Sequence, residues 1–118
     1  MPSLAATLAL TLSAGALAAG TSLHVHPHKV EAGHRVHIKG SAGDCPVGDQ
    51  VTLLSRAFSH RHEFAGVPAV FTHVKSGGHF GRWVRIPARR DPRRYKLTAR
   101  CGGGNLGVTR HLHVLPPD

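Results

Sequence analysis

Beyond residue 20 the chain alternates apolar and polar side chains in short runs, and Gly, Pro or Asp punctuates each run. A period of two marks strands that bury one face and wet the other. Leu23-His24-Val25-His26-Pro27 alternates in this way, and Glu31-Ala32-Gly33 turns the chain. In the run 34–39, Val36 and Ile38 share one face and His37 takes the other. Residues 41–49 form a turn-rich connection that contains Cys45. A third strand starts at 51–55 and runs on toward Phe58; a fourth covers 69–75 and ends at Ser76-Gly77-Gly78; a fifth covers 80–86 and stops at Pro87. In the run 95–101, Tyr95, Leu97, Ala99 and Cys101 lie on one face, with Lys96, Thr98 and Arg100 on the other. Gly102-Gly103-Gly104-Asn105 turns the chain, and 108–115 closes it with Leu112 and Val114 inward. No long helical period competes with this pattern. Seven short strands in about 100 residues predict an all-β fold, an immunoglobulin-like Greek-key β-sandwich.

Two positions break the alternation. Arg82 lies between Phe80 and Val84, and Arg110 between Val108 and Leu112, each where an inward apolar side chain is expected. An unpaired guanidinium is too costly to bury, so each position predicts a bulge or a place on the rim.

The N-terminus has a different pattern. Residues 4–19 are an uncharged run of Leu, Ala, Thr, Ser and Gly, and Ala16-Leu17-Ala18 supplies the small-x-small pattern of a signal-peptidase site. The run is shorter than the roughly 20 apolar residues that span a bilayer. Met1-Pro2-Ser3 lacks the usual basic residues of an export signal. The reading is a signal peptide over 1–18, cleaved between 18 and 20, then one domain over 21–118. The product is expected to be secreted, extracellular or cell-wall associated. The chain ends at Leu115-Pro116-Pro117-Asp118 without an apolar tail, so no transmembrane anchor is expected in the mature chain. In an exported chain, Cys45 and Cys101 as the sole cysteines predict one disulfide. It differs from the antibody bridge, which joins mid-strand positions against a Trp, because Trp83 falls on an outward parity.

Val25-x-Pro27, Val30-x-x-Gly33, Val36-x-Ile38-x-Gly40, Val51-Thr52-Leu53, Ile86-Pro87, Tyr95-x-Leu97 and above all Cys101-Gly102-Gly103-Gly104-Asn105-Leu106-Gly107-Val108 resemble a group of small secreted Ig-like proteins of actinobacteria. The resemblance covers the whole mature chain, and its most specific piece is the Cys-Gly-Gly-Gly-Asn-Leu-Gly-Val run. It implies an extracellular or wall-associated sandwich with the two cysteines paired, and it implies no activity. The chain departs from the group in placing His and Arg at outward positions where Ser and Thr are ordinary.

Charge narrows the partners. Fifteen Lys and Arg against six acids give a formal charge of +9, with eleven histidines in reserve. Full histidine protonation near pH 5 brings it to about +20. Such a chain adheres to polyanions at low salt. Arg85, Arg89, Arg90, Arg93, Arg94 and Arg100 are the candidate polyanion-binding set, centred on the 89–94 loop and extended by Lys96. Guanidinium clusters hold phosphate or sulfate, so the expected partner is an anionic cell-envelope polymer or an extracellular protein. Sequence-specific nucleic-acid reading is not expected, because aromatic residues for stacking are few.

His24, His26, His111 and His113 are a second candidate set. On a strand, residues i and i+2 project about 6.6 Å apart on one face, close enough for two imidazoles to share a metal. If the first and last strands are neighbours, the four make a surface site for Zn²⁺ or Cu²⁺. This is the alternative to a chain without a cofactor. Ser59-His60-Arg61-His62-Glu63 lacks the second His of a zincin helix and reads as a loop. The acids sit almost entirely in turns, and no nucleophile has a base beside it, so no catalytic residue is assigned. The expectation is a secreted, non-enzymatic structural or adhesive module. Its alternative is a divalent-metal-binding protein.

Overall fold

A computed structural model describes residues 20–102 and 104–117. The proposed signal peptide lies outside the described residues. Among these residues the chain is all-β, with strands β1 (Thr21–His26), β2 (Lys29–Glu31), β3 (Arg35–Ala42), β4 (Gln50–Leu54), β5 (Glu63–Phe64), β6 (Val67–His73), β7 (His79–Arg85), β8 (Arg93–Cys101) and β9 (Gly104–Leu115). No helix of the described residues is long and apolar enough to cross a membrane.

The strands form two sheets. The smaller runs β1-β3-β7, and the larger runs β2-β9-β8-β4-β6-β5. All pairs are antiparallel except β2 with β9. The chain leaves the smaller sheet at His26, passes a cis His26–Pro27 peptide, and joins the larger sheet at Lys29. Seven of the strands answer to the seven read from the alternation. β2 and β5 are too short to show a period. The third run also stops earlier than expected. β4 ends at Leu54, and residues 55–58 are a buried turn in which the Ala57 N–H donates to Ser55 Oγ and the Phe58 N–H donates to the Ser55 carbonyl. A serine that bonds its own turn competes with ladder pairing.

The core lies between the sheets. Leu23, Val36, Ile38, Phe80 and Val84 of the smaller sheet meet Val51, Leu53, Leu97, Ala99, Leu112 and Val114 of the larger, and Phe58 and Ile86 fill in from the connections. The alternation of β8 is as read: Tyr95, Leu97, Ala99 and Cys101 are buried, while Lys96 is exposed. Gly40 marks a point of close approach, since a Cβ there would strike the Ser22 carbonyl and come within 2.7 Å of the Phe80 ring. Cys45 and Cys101 are joined in a disulfide with Cα atoms 6.4 Å apart. The bridge ties the β3–β4 connection to the end of β8, from one sheet to the other.

Both alternation-breaking arginines sit where the sheets meet. Arg82 is exposed on the edge strand β7, and its Nη1 donates to the Phe71 carbonyl of β6 at 2.7 Å. Arg110 of β9 donates through Nε to the Leu23 carbonyl of β1 at 2.7 Å. Both are rim positions, and the β3–β7 register runs without a shift through Arg82. Among the described residues, the β8–β9 register shifts between Thr98 and Arg100.

Candidate functional site: a basic groove on the larger sheet

The outward residues of β8 are Arg94, Lys96, Thr98 and Arg100. Pairing with β9 sets Lys96 beside His111 and Arg94 beside His113. Pairing with β4 on the other side brings up Leu54 and the turn that follows it. The result is an open groove of about 610 Å³, walled by Arg56, Arg93, Arg94, Lys96 and His111 over a floor that includes Leu54 and Thr98. No acid lines it. Arg93 lies over the Tyr95 ring at 5.0 Å, which holds the guanidinium at the groove's end.

His111 reports the field in this groove. Its pKa is depressed below the usual histidine value, first by loss of hydration and then by the charges of Arg94, Lys96 and His113. Among the described residues, the cations of the site have no acid beside them. An incoming anion therefore finds unneutralised charge, with Arg able to grip phosphate or sulfate in a bidentate manner.

The structure divides the candidate polyanion set. Arg93 and Arg94 line the groove together with Lys96. Arg90 turns inward, where Nε and Nη2 donate to the Ala57 and Phe58 carbonyls at 3.2 and 2.9 Å. It clamps the 55–58 turn and acts as a structural group. Arg85 belongs to β7 in the smaller sheet, where its Nη1 donates to the Gly33 carbonyl. Arg89 is exposed in the β7–β8 connection, and Arg100 stacks over Phe64 at 4.8 Å. Arg56 was missed, because it follows a strand that seemed to continue. Only the pairing of β4 with β8 brings it to Lys96, and no local signal marks that.

The four histidines of the alternative metal set fall on two sheets. β1 is hydrogen-bonded to β3, and β9 lies between β2 and β8, touching β1 only across the seam between the sheets. His24 and His26 therefore belong to the smaller sheet, and His111 and His113 to the larger. Among the described residues, the one group of three convergent ligand-type side chains is Cys45, Asp49 and Cys101. There the sulfurs are bonded to each other, so neither offers the thiolate that a metal takes. In the 59–63 run, His60 Nδ1 meets the Glu63 carboxylate at 3.3 Å, and Phe64 pairs with Val67 across a two-residue hairpin loop.

No protein family matches the sequence, and no curated protein does. Solved structures do share its fold. The chain is similar to the alkylpurine DNA glycosylase AlkC of Pseudomonas fluorescens bound to DNA containing an abasic site analogue, with TM-score 0.56 and 17% identity over 80% of this chain. It spans 29% of the glycosylase's length. The Reelin-N domain of F-spondin is similar at TM-score 0.47 and 17% identity, over 89% of this chain and 99% of that one. The first likeness is one of fold alone.

Proposed function

We propose that this chain is a secreted, non-enzymatic, immunoglobulin-like module that adheres to anionic polymers of the cell envelope through the groove on its larger sheet. The observation that carries the reading is the set of Arg56, Arg93, Arg94 and Lys96 around one groove that no acid lines. Several features support the immunoglobulin-like Greek key. The order β1-β3-β7 against β9-β8-β4 is how such a sandwich distributes its strands. Tyr95 near the start of β8 donates its hydroxyl to the Asp91 carbonyl at 2.7 Å, four residues upstream, in the manner of a tyrosine corner. The reading of residues 1–18 as an export signal and the likeness to secreted actinobacterial proteins support a place outside the cytoplasm. The disulfide is compatible with that place.

Retention on immobilised polyphosphate tests the groove. Removing Arg56, Arg93 and Arg94 together, each to Ser, is expected to lower the eluting salt concentration clearly more than an equal charge loss at Lys29, Lys39 and Lys75, exposed lysines outside the groove. Equal losses in the two triple variants would mean that net charge, not the groove, does the binding. His111 adds a pH arm. Its pKa is depressed first by lost hydration and then by the neighbouring charges; a bound anion offsets the second cause, so binding takes up a proton and strengthens as pH falls through the histidine range. H111N is expected to lose part of that pH dependence.

A further inference from the structure

Where the smaller sheet ends at β7, the larger sheet continues into β6 and the loop before β5, and the two diverge around a cleft of about 510 Å³. That size lies within the ordinary range of small-ligand pockets. Its walls differ in kind from the basic groove. Trp83, Phe71 and His62 bring aromatic surface, Arg61, Arg82 and Arg85 bring charge, and no acid lines the cleft. The acid nearest in sequence, Glu63, is engaged with His60.

Trp83 is the chain's single tryptophan and is 54% exposed, unusual for so large an apolar side chain. Neighbours on β3 hold it in place: Arg35 lies 5.0 Å from its ring centre and the His37 ring 4.9 Å away. On the far side of the cleft the His62 and Phe71 rings pack 5.4 Å apart. The guanidinium groups are also pre-set. Arg82 is pinned by the Phe71 carbonyl and Arg85 by the Gly33 carbonyl. Each bond uses one of five N–H groups, so both guanidiniums keep donors for a ligand. Rigid aromatic surface beside oriented arginines lowers the ordering cost of binding.

We propose that this cleft binds an anionic saccharide, a uronate-bearing oligosaccharide, with a sugar ring packed on Trp83 and its carboxylate held by Arg61, Arg82 and Arg85. The C–H face of a pyranose is weakly positive and suits the negative face of an indole. A carboxylate suits the fork of a guanidinium. A bare inorganic anion would use the arginines alone and leave the exposed indole without a role. The cleft is separate from the basic groove, and the proposal stands or falls independently of the polyanion reading.

The lone tryptophan supplies the readout. Titrating the folded domain with a defined oligogalacturonate is expected to give a saturable change in tryptophan emission. A neutral oligosaccharide of equal length and inorganic sulfate, at matched concentration and ionic strength, are expected to give none. Arg61→Ser, at an exposed loop position, should weaken the affinity at least about tenfold. By calorimetry, Trp83→Ala should weaken it by a similar factor and Trp83→Phe by less. The triple groove variant lacking Arg56, Arg93 and Arg94 should bind the oligosaccharide as the parent does, which keeps this test apart from that of the groove. An equal response to sulfate would overturn the proposal, as would unchanged affinity in the Arg61 variant or no saturation at millimolar oligogalacturonate.

Discussion

The two seams between the sheets use the same device and end differently. At one, Arg110 reaches from β9 to a carbonyl of β1; at the other, Arg82 reaches from β7 to a carbonyl of β6. Around the first seam the chain adds further ties. β2 crosses from beside β1 to pair with β9, and the disulfide closes the end where Thr21 and Leu106 meet around Cys45 and Cys101. At the second seam, the Arg82 bond is accompanied by a hydroxyl bond from Thr72 Oγ1 to the Gly81 carbonyl at 3.1 Å and, where the chain turns from β6 to β7, by a backbone bond from the Lys75 N–H to the His79 carbonyl at 2.7 Å. Beyond those bonds it opens into the cleft beside Trp83. The stapled seam builds stability, and the loosely bonded one leaves room for a ligand.

The largest test of this contrast is the covalent tie. Replacing Cys45 and Cys101 by Ala frees a loop with a sequence separation of 56, and in the chain-entropy model that costs about 4 kcal/mol. Urea unfolding of the variant and the oxidised parent measures it, and a loss under about 1 kcal/mol would show the first seam holding without its staple. Next come the arginines. Arg110→Met removes a partly buried, charge-assisted bond and is expected to cost about 1–2 kcal/mol, whereas Arg82→Met, at an exposed bond, should cost about 0.5 kcal/mol. Equal costs would erase the difference between the seams. The smallest effect belongs to the hairpin that extends the larger sheet beside the open seam. Its loop, Ala65-Gly66, has φ of 51° and 83°, the left-handed pair of a type I′ turn. Alanine is disfavoured there, so Ala65→Asn should raise stability by about 0.5 kcal/mol, read as a small rise in the thermal midpoint.

Sheet-forming runs were legible in the sequence because burial on one face imposes a period of two. The positions of Val36, Ile38, Leu97, Ala99, Leu112 and Val114 follow directly from it. The sequence also showed that the two arginines must escape the core, by a bulge or at the rim, and the structure places both at the rim. β2 and β5 were not legible. Three residues and two residues show no period, and Lys29–Glu31 is a strand only because β9 lies beside it.

The candidate sites divide along the same line. Arg93, Arg94 and Lys96 are near in sequence and share the groove, so the charged loop was visible in part. Arg90 carries the same charge in the same run, yet the carbonyls of the 55–58 turn claim it. Arg56 joins the groove from a distant part of the chain, and His24 and His26 are parted from His111 and His113 by the division into sheets.

By itself the sequence determined which side chains face inward, which positions break that order, and that two cysteines were available to each other. These follow from local periodicity and chemical type. Only the tertiary structure decided which strand lies beside which, and therefore which cations share a groove, where the bridge falls and which seam stays open. Strand neighbours are chosen by backbone hydrogen bonds, and one backbone amide is chemically like the next, so no residue type in the chain records that choice.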